Sequence, residues 1–180
     1  EPELVEAGEA LTALREQHLG QIRDRCIDYV SALLGEGDWS FDLQPGWPRG
    51  GTLQDGLVKN RGNDRRLGLT QYGPHRAELR IRADSHAIKN RISRGQQKLL
   101  IAAMLLAQCE EIGQRIGHHP LLLVDDFGAE LAERYQQALL DALQGYPGQV
   151  FVTAFERTAV LAKAETSATF HVERGVLRPA

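Results

Sequence analysis

The sequence has no glycine-rich phosphate loop ending in Gly-Lys-Ser/Thr. It contains only four lysines, and none of them follows a glycine: Lys59, Lys89, Lys98 and Lys163. In nucleoside triphosphatases the backbone of this loop cradles the phosphates, and its lysine reaches the terminal ones. We therefore expect that the chain does not hold ATP in the usual way by itself.

Cysteines and long apolar runs are also scarce. Cys26 and Cys109 lie in helix-like stretches without the spacing of a disulfide framework or a zinc site, which fits a reducing cytoplasm. No apolar run approaches the roughly twenty residues that cross a bilayer, and the acidic start is unlike a signal peptide. We expect a soluble, cytoplasmic protein without a membrane partner. Because the chain begins at Glu1-Pro2-Glu3, without methionine, we also expect it to be part of a longer polypeptide.

Charge is distributed unevenly along the chain. Residues 49–94 hold eleven Lys/Arg and four Asp/Glu, a charge of +7, and the rest of the chain carries -10. Contacts to phosphates supply most of the sequence-independent affinity for nucleic acid, so the basic segment is a candidate face for a polyanion. A solvated, arginine-rich surface explains it equally well.

The first part of the chain is predicted to be mainly helical. Apolar residues recur at helical spacing from Leu4 to Leu34, and Leu11 and Leu14 are among the expected core positions. A short alternating run from Trp39 to Leu43 predicts a strand, and a weaker helical stretch covers Thr52 to Lys59. A basic patch follows, formed by Arg61, Arg65 and Arg66. We place a lobe boundary near residue 66.

The second part alternates strands and helices, which indicates an α/β sheet. We predict strands at 67–70 and 78–82, separated by a turn at 73–76. Ser93 is expected to cap a helix that ends near Ile116. Further strands are predicted at 121–125 and 149–153, helices at 130–143 and 157–163, and a terminal pair of strands around Gly175.

The run Ser93-Arg94-Gly95 opens the third predicted helix. Unpaired backbone N–H groups and the helix dipole favour an anion there, and Gly95 lets the backbone approach a phosphate closely. The alternative is an ordinary serine cap on a core helix.

Asp125 and Asp126 follow four apolar residues, which predict a fully buried strand with two carboxylates at its carboxyl end. There Asp125 could hold Mg²⁺, directly or through water, while Asp126 orients an attacking water. The alternative is a capped turn between strand and helix. Thr153 ends the next predicted strand, from which a small polar side chain could sense the same water.

His75 and Arg76 follow the turn at Gly73-Pro74, which is expected to present both side chains outward. Arg76 could reach a phosphate, or the pair could simply hold the bend of the chain.

Three segments together closely resemble the RecF family of DNA replication and repair proteins. They are Thr70-Gln71-Tyr72-Gly73-Pro74-His75-Arg76-Ala77-Glu78-Leu79, Ser93-Arg94-Gly95-Gln96-Gln97-Lys98-Leu99-Leu100 and Leu122-Leu123-Val124-Asp125-Asp126-Phe127-Gly128-Ala129-Glu130-Leu131. The resemblance covers essentially the whole chain and implies the C-terminal half of an ABC-type ATPase head similar to those of SMC proteins. Residues 67–180 would carry the signature and Walker B motifs of this head. Residues 1–66 would form part of a helical arm lobe inserted as a second domain.

The resemblance also implies a function for the complete protein. ATP and Mg²⁺ would be its cofactors, and an ATP-dependent homodimer would bind junctions between single- and double-stranded DNA. With RecO and RecR it would help to place recombinase at gaps during recombinational repair and replication restart. DNA contact by Arg61, Arg65 and Arg66 is expected because they fall where the arm returns to the head.

The same resemblance assigns roles to individual residues. The segment formed by Ser93, Arg94, Gly95 and Gln96 would contact nucleotide held by the other subunit. Asp125 would be the Walker B ligand of Mg²⁺, and Asp126 would stand where related heads carry a catalytic glutamate. The shorter Asp126 would fit a slow ATPase.

The sequence departs from the family pattern at two places. The family's Glu-Leu-Asp reads Glu130-Leu131-Ala132 here, and the region from Thr153 to Phe155 replaces a histidine switch. Two further hypotheses remain open. The chain could be a DNA- or partner-binding arm module whose head motifs serve only dimerisation. It could also be a folding unit without activity that exposes apolar surface where half of the head sheet is missing.

Overall fold

Helices and strands alternate along most of the chain, as the apolar pattern predicts. A computed structural model describes residues 2–156, 158–164 and 168–180. The helices are α1 (Pro2–Leu34), α2 (Leu53–Leu67), α3 (Arg94–Ile116) and α4 (Glu133–Gly145). The strands are β1 (Trp39–Gln44), β2 (Glu78–Ala83), β3 (His86–Ala87), β4 (Leu122–Val124), β5 (Val150–Val152), β6 (Phe170–Glu173) and β7 (Val176–Pro179). These elements form two compact units, residues 1–111 and 112–180, and the division falls within α3.

The long helix α1 has the predicted length, but its first half buries different residues from those expected. Leu11 and Leu14 are exposed, whereas Gly8 and Thr12 are buried. A Cβ added at Gly8 would lie 2.7 Å from Leu53 Cδ2, so glycine allows α2 to approach here. In the second half the expected positions Ile22, Cys26, Val30 and Leu33 are buried, and Leu19 is buried as well. Helical spacing therefore indicated the element, while close packing of the neighbouring helix chose the buried face.

The second helix is longer than predicted, and the strand expected at 67–70 is wrong. Thr52 and Asp55 form a capping box at the start of α2, in which the Thr52 hydroxyl accepts a hydrogen bond from Asp55 N at 3.1 Å. The Thr52 hydroxyl and backbone N–H hold the pKa of Asp55 below its usual value. The helix continues through Leu67 and ends where Gly68 adopts φ 69°. Glycine readily takes this left-handed conformation, so it stops the helix where a strand had been expected to start.

An antiparallel sheet, in the order β1-β2-β3, completes the first unit. Trp39 pairs with Ala83 and Gln44 with Glu78, and Phe41 between them points into the core with 1% of its surface exposed. This sheet joins a strand from before residue 66 with strands from after it. The division into residues 1–66 and 67–180 stays a prediction, and the compact units of the structure divide elsewhere.

In the second unit, β4 and β5 form a parallel pair in which Leu123 lies beside Phe151. The expectation that β4 is fully buried is wrong, because Leu123 is 76% exposed and Phe151 is 49% exposed. In the described part of the chain only these two strands form this sheet. Among the described residues, no layer covers the face that carries Leu123, so an apolar run does not guarantee burial.

The remaining elements of the second unit differ slightly from the prediction. Helix α4 starts at Glu133 rather than residue 130, because Glu130 has φ 64° and belongs to a turn. Of the helix expected at 157–163, Arg157 lies outside the described residues, and a single 3₁₀ turn covers Leu161–Lys163. The terminal pair of strands around Gly175 is confirmed as the β6–β7 hairpin. No helix among the described residues is long and apolar enough to cross a membrane.

Candidate functional site

The start of α3 is held by a reciprocal pair of hydrogen bonds. Gln96 N donates to Ser93 Oγ at 3.2 Å, and Ser93 N donates to the Gln96 side-chain oxygen at 2.9 Å. This is a capping box, in which two backbone donors of the first turn are satisfied by side chains. The cap predicted at Ser93 is therefore confirmed. Because Ser93 Oγ accepts in this arrangement, its own proton can still be donated outward from an exposed position.

The neighbouring residues of this turn differ in exposure. Arg94 is exposed, Gly95 is buried and Gln96 is half-buried. The Gln96 side chain is occupied by its hydrogen bond from Ser93 N, and Arg94 is the exposed cation of this turn. A role for this segment in contacting nucleotide stays a prediction.

Asp125, Asp126 and Thr153 come together where β4 and β5 end. Thr153 N donates to Val124 O at 2.9 Å, which continues the pairing of the two strands by one residue. The Thr153 hydroxyl donates to Asp125 Oδ1 and accepts from Asp126 N at 3.0 Å. One threonine thus orients the first carboxylate and fixes the backbone of the second.

The loop after the two carboxylates is held by hydrogen bonds to Thr153 and to α4. Asp126 has φ 50°, and Phe127 N donates to Thr153 O at 2.8 Å while the Phe127 ring is buried. Gln136 of α4 donates to Leu131 O at 3.0 Å and to Gly128 O at 3.4 Å. Gln136 was not among the residues predicted for this site. Its only signal was a polar residue near the start of a helix, so nothing in the sequence connected it to this loop.

A magnesium ion can be accommodated at Asp125 only as part of a larger set of ligands. Among the described residues, no group of three or more His, Cys, Asp and Glu side chains is arranged to hold a metal ion. Mg²⁺ is usually bound by one or two carboxylates together with waters and substrate phosphates. Asp125 is exposed, and only one of its oxygens is engaged by Thr153. Its carboxylate therefore fits one position in such a set.

The three arginines of the basic patch lie on the last turns of α2. Arg61 and Arg65, one turn apart, line an open groove of about 490 Å³ together with Leu4 and Asp64. Arg66 instead donates to Asn63 Oδ1 at 2.8 Å. The structure therefore brings two of the three predicted DNA-binding residues to one groove and directs the third to a neighbour on its own helix.

The Gly73–Arg76 segment forms a 3₁₀ turn that begins at Pro74. A ring nitrogen of His75 lies 3.0 Å from Thr70 O, and Arg15 of α1 donates to Pro74 O at 2.8 Å. His75 therefore holds the bend, which was one of the two roles considered for it. Arg76 is exposed beside it.

Curated relatives match almost the whole of this chain. It is 41% identical over 175 residues to the DNA replication and repair protein RecF of Stenotrophomonas maltophilia (strain R551-3), which covers 95% of this chain. It is 36% identical over 174 residues, or 96% of this chain, to RecF of Escherichia coli O6:K15:H31. The chain spans only 48% and 49% of these relatives, which is about half of their length. No family model matches the chain.

A solved structure has the same fold. It is described as the recombination mediator protein RecF-ATP in the RecFOR pathway, and it matches 99% of this chain with a TM-score of 0.74 and 19% identity. The match covers 48% of that protein. The predicted fold class, mixed helices and strands that make up about half of a larger protein, is confirmed by this match.

Proposed function

We propose that this chain, which is homologous to RecF and fits its C-terminal half, is part of an ATP-dependent DNA-binding protein that acts in recombinational repair. The observation that carries the proposal is the contact of Thr153 with both Asp125 and Asp126 at the carboxyl ends of two parallel strands. Ligands of α/β sheets bind at this edge, and paired carboxylates there suit phosphoryl chemistry.

The nucleotide-binding role follows from the donors and acceptors on this edge. Asp125 would hold Mg²⁺, which neutralises charge on the phosphates when it is bound. Asp126 would orient the attacking water, and Thr153 would hold Asp125 and Asp126 in their positions. Ser93, Arg94, Gly95 and Gln96 would contact the nucleotide of a second subunit, with the Ser93 hydroxyl donating to a phosphate.

Hydrolysis would require protein that this chain does not supply. A lysine that follows a glycine in a phosphate loop is missing from the sequence. The exposed face of β4 and β5, with Leu123 and Phe151, is apolar surface suited to packing against further chain. We propose that the other half of a RecF-like head covers this face and brings the phosphate loop. The 180-residue chain alone is then expected to turn over no more ATP than its Asp126→Ala variant.

The DNA-binding role rests on the basic segment. Arg61 and Arg65 offer two cations one helical turn apart, a spacing that suits contacts to a phosphate backbone. Junctions of single- and double-stranded DNA, and the partners RecO and RecR, are proposed for the complete protein. Its location would be the cytoplasm.

Dimerisation of the complete protein in the presence of ATP tests the nucleotide assignment. Light scattering is measured with and without ATP for the parent, for Ser93→Arg and for Gln54→Arg. The control adds the same charge at an exposed position in the first turn of α2. We expect Ser93→Arg to abolish the ATP-dependent dimer while ATP binding and the Gln54→Arg dimer persist. A normal dimer of the Ser93→Arg variant would refute the contact across subunits.

A second candidate function is a binding module in which the head motifs serve only dimerisation. The groove beside Arg61 and Arg65 favours it, because this groove does not depend on the nucleotide residues. The variant with Arg61, Arg65 and Arg66 all changed to Ala separates the two. Loss of DNA binding with ATPase activity retained would support a separate DNA-binding lobe. DNA binding that survives would remove these arginines from the proposal.

A further inference from the structure

A second groove in the first unit is distinct from the one lined by Arg61 and Arg65. It has a volume of about 400 Å³, and six of its lining residues are Trp47, Pro48, Gln71, Tyr72, Arg76 and Arg80. Two aromatic rings and two arginines thus line one open depression. This combination is typical of surfaces that stack bases and contact phosphates.

The aromatic rings are held in place by a glycine on α2. A Cβ added at Gly56 would lie 3.2 Å from Tyr72 Cδ2 and 3.7 Å from Trp47 Cβ. Both aromatic residues therefore pack against α2 at Gly56, where the helix carries no side chain. Each is only half-buried, so part of its surface still faces the groove.

The backbone around the rings is fixed as well. Gly73 N donates to Gly46 O at 3.1 Å, and a Cβ at Gly46 would come within 2.1 Å of Gly73 O. Gln71 N donates to Asp64 Oδ1 at 3.1 Å, which ties the segment before Tyr72 to α2. The groove is therefore a preorganised site, and binding to it requires little ordering of the chain.

The charge of the groove favours an anion. Glu78 is the acidic residue of its lining, and its carboxylate is paired with Lys89 at 3.2 Å and lies 3.8 Å from Arg80 Nε. Among the described residues, the guanidinium of Arg76 forms no hydrogen bond or ion pair, and it is exposed. A phosphate beside a stacked base would meet this cation. A proline-rich peptide would also suit the aromatic rings, but it would leave Arg76 without a counterpart.

We infer that this groove binds an unpaired nucleobase and its flanking phosphate in a single-stranded nucleic acid. Trp47 and Tyr72 contact the base, and Arg76 with Arg80 contacts the phosphate. The inference rests on the proposed DNA-binding function and adds a site to it, and it uses none of the residues assigned to nucleotide or magnesium. It also differs from the patch at Arg61 and Arg65, which would contact phosphates without reading bases.

Tryptophan fluorescence tests this inference, because the chain has two tryptophans. In the Trp39→Phe background, Trp47 is the sole reporter. Oligothymidylate and oligouridylate are titrated against an abasic oligonucleotide of equal length, which keeps the phosphates but has no bases. We expect the oligonucleotides with bases to quench Trp47 and to bind about ten-fold more tightly than the abasic one, the value of a single stacked base. The stronger of the two identifies DNA or RNA as the source of the base.

Variants distinguish binding in the groove from nonspecific attraction of the oligonucleotide to positive charge. Arg76→Ala is expected to weaken binding several-fold, whereas Arg23→Ala, an equal loss of charge at an exposed position of α1, is expected to leave it unchanged. Tyr72→Phe should retain binding, and Tyr72→Leu should lose the preference for bases over the abasic oligonucleotide. Equal binding of the abasic oligonucleotide would overturn the inference. Quenching of Trp47 by a proline-rich peptide but by no oligonucleotide would overturn it in favour of a peptide site.

Discussion

Replacing Thr153 by valine removes one hydroxyl from the candidate site and keeps the shape of the side chain. That hydroxyl donates to Asp125 and accepts from Asp126 N at 3.0 Å. A hydrogen bond contributes about 0.5–1.5 kcal/mol net, and water can replace partners that are exposed, as both aspartates are. We therefore expect Thr153→Val to lower the free energy of unfolding by about 1 kcal/mol. Urea unfolding of the chain measures this.

The functional effect of the same change should be larger than its effect on stability. Residues that orient a metal ligand typically change metal affinity by about ten-fold or more when they are lost. In the complete protein we expect the Mg²⁺ concentration for half-maximal ATP turnover to rise about ten-fold in Thr153→Val. Thr153→Ser should restore it, because serine keeps the hydroxyl.

Thr158→Val is the matched control for this prediction. The Thr158 hydroxyl accepts a hydrogen bond from Leu161 N at 3.2 Å, in the same unit, and it touches neither carboxylate. It should lower stability by a similar amount and leave the Mg²⁺ requirement unchanged. If Thr153→Val had the same Mg²⁺ requirement as the parent, the reasoning that Thr153 orients Asp125 would be refuted.

Two further predictions concern the first unit. Burial raises the pKa of the Cys26 thiol from 9.0 to about 11, so the thiolate forms first in the unfolded chain, and the free energy of unfolding should fall as the pH rises from about 9 to about 11. The fall should be smaller in Cys26→Ala, and equal curves for the two proteins would contradict the assignment. Gly46→Ala should destabilise the protein by about 2 kcal/mol more than Gly50→Ala, as measured by thermal unfolding. Both glycines have positive φ, but only at Gly46 would the new Cβ meet backbone, at Gly73 O.

Elements with a clear apolar period could be predicted from the sequence. Three predicted features correspond to elements of the structure. They are the helical spacing of apolar residues in α1, the capping residue Ser93 at the start of α3 and the alternation of β1. Local hydrogen bonding explains this success, since a helix period or a serine cap depends on residues only three or four positions apart. The strand expected at 67–70 failed for an equally local reason, because Gly68 ends a helix there.

The burial of a strand and the contacts between different elements could not be predicted in the same way. An apolar run predicted a buried β4, yet Leu123 is exposed because no layer covers that face among the described residues. Exposure depends on what packs against a strand, which the strand's own residues do not specify. Gln136 holds the loop after Asp126 for the same kind of reason, through a contact made by a different element.

The sequence by itself determined which residues could do chemistry here. It supplied two adjacent carboxylates after a strand, a serine cap with glycine and a basic segment, and it lacked a phosphate-loop lysine. Only the tertiary structure decided which of them meet. It joined Thr153 to both aspartates, because parallel pairing aligns the ends of β4 and β5. It also placed Trp47 and Tyr72 against Gly56, because side chains far apart in sequence become neighbours only when the backbone packs.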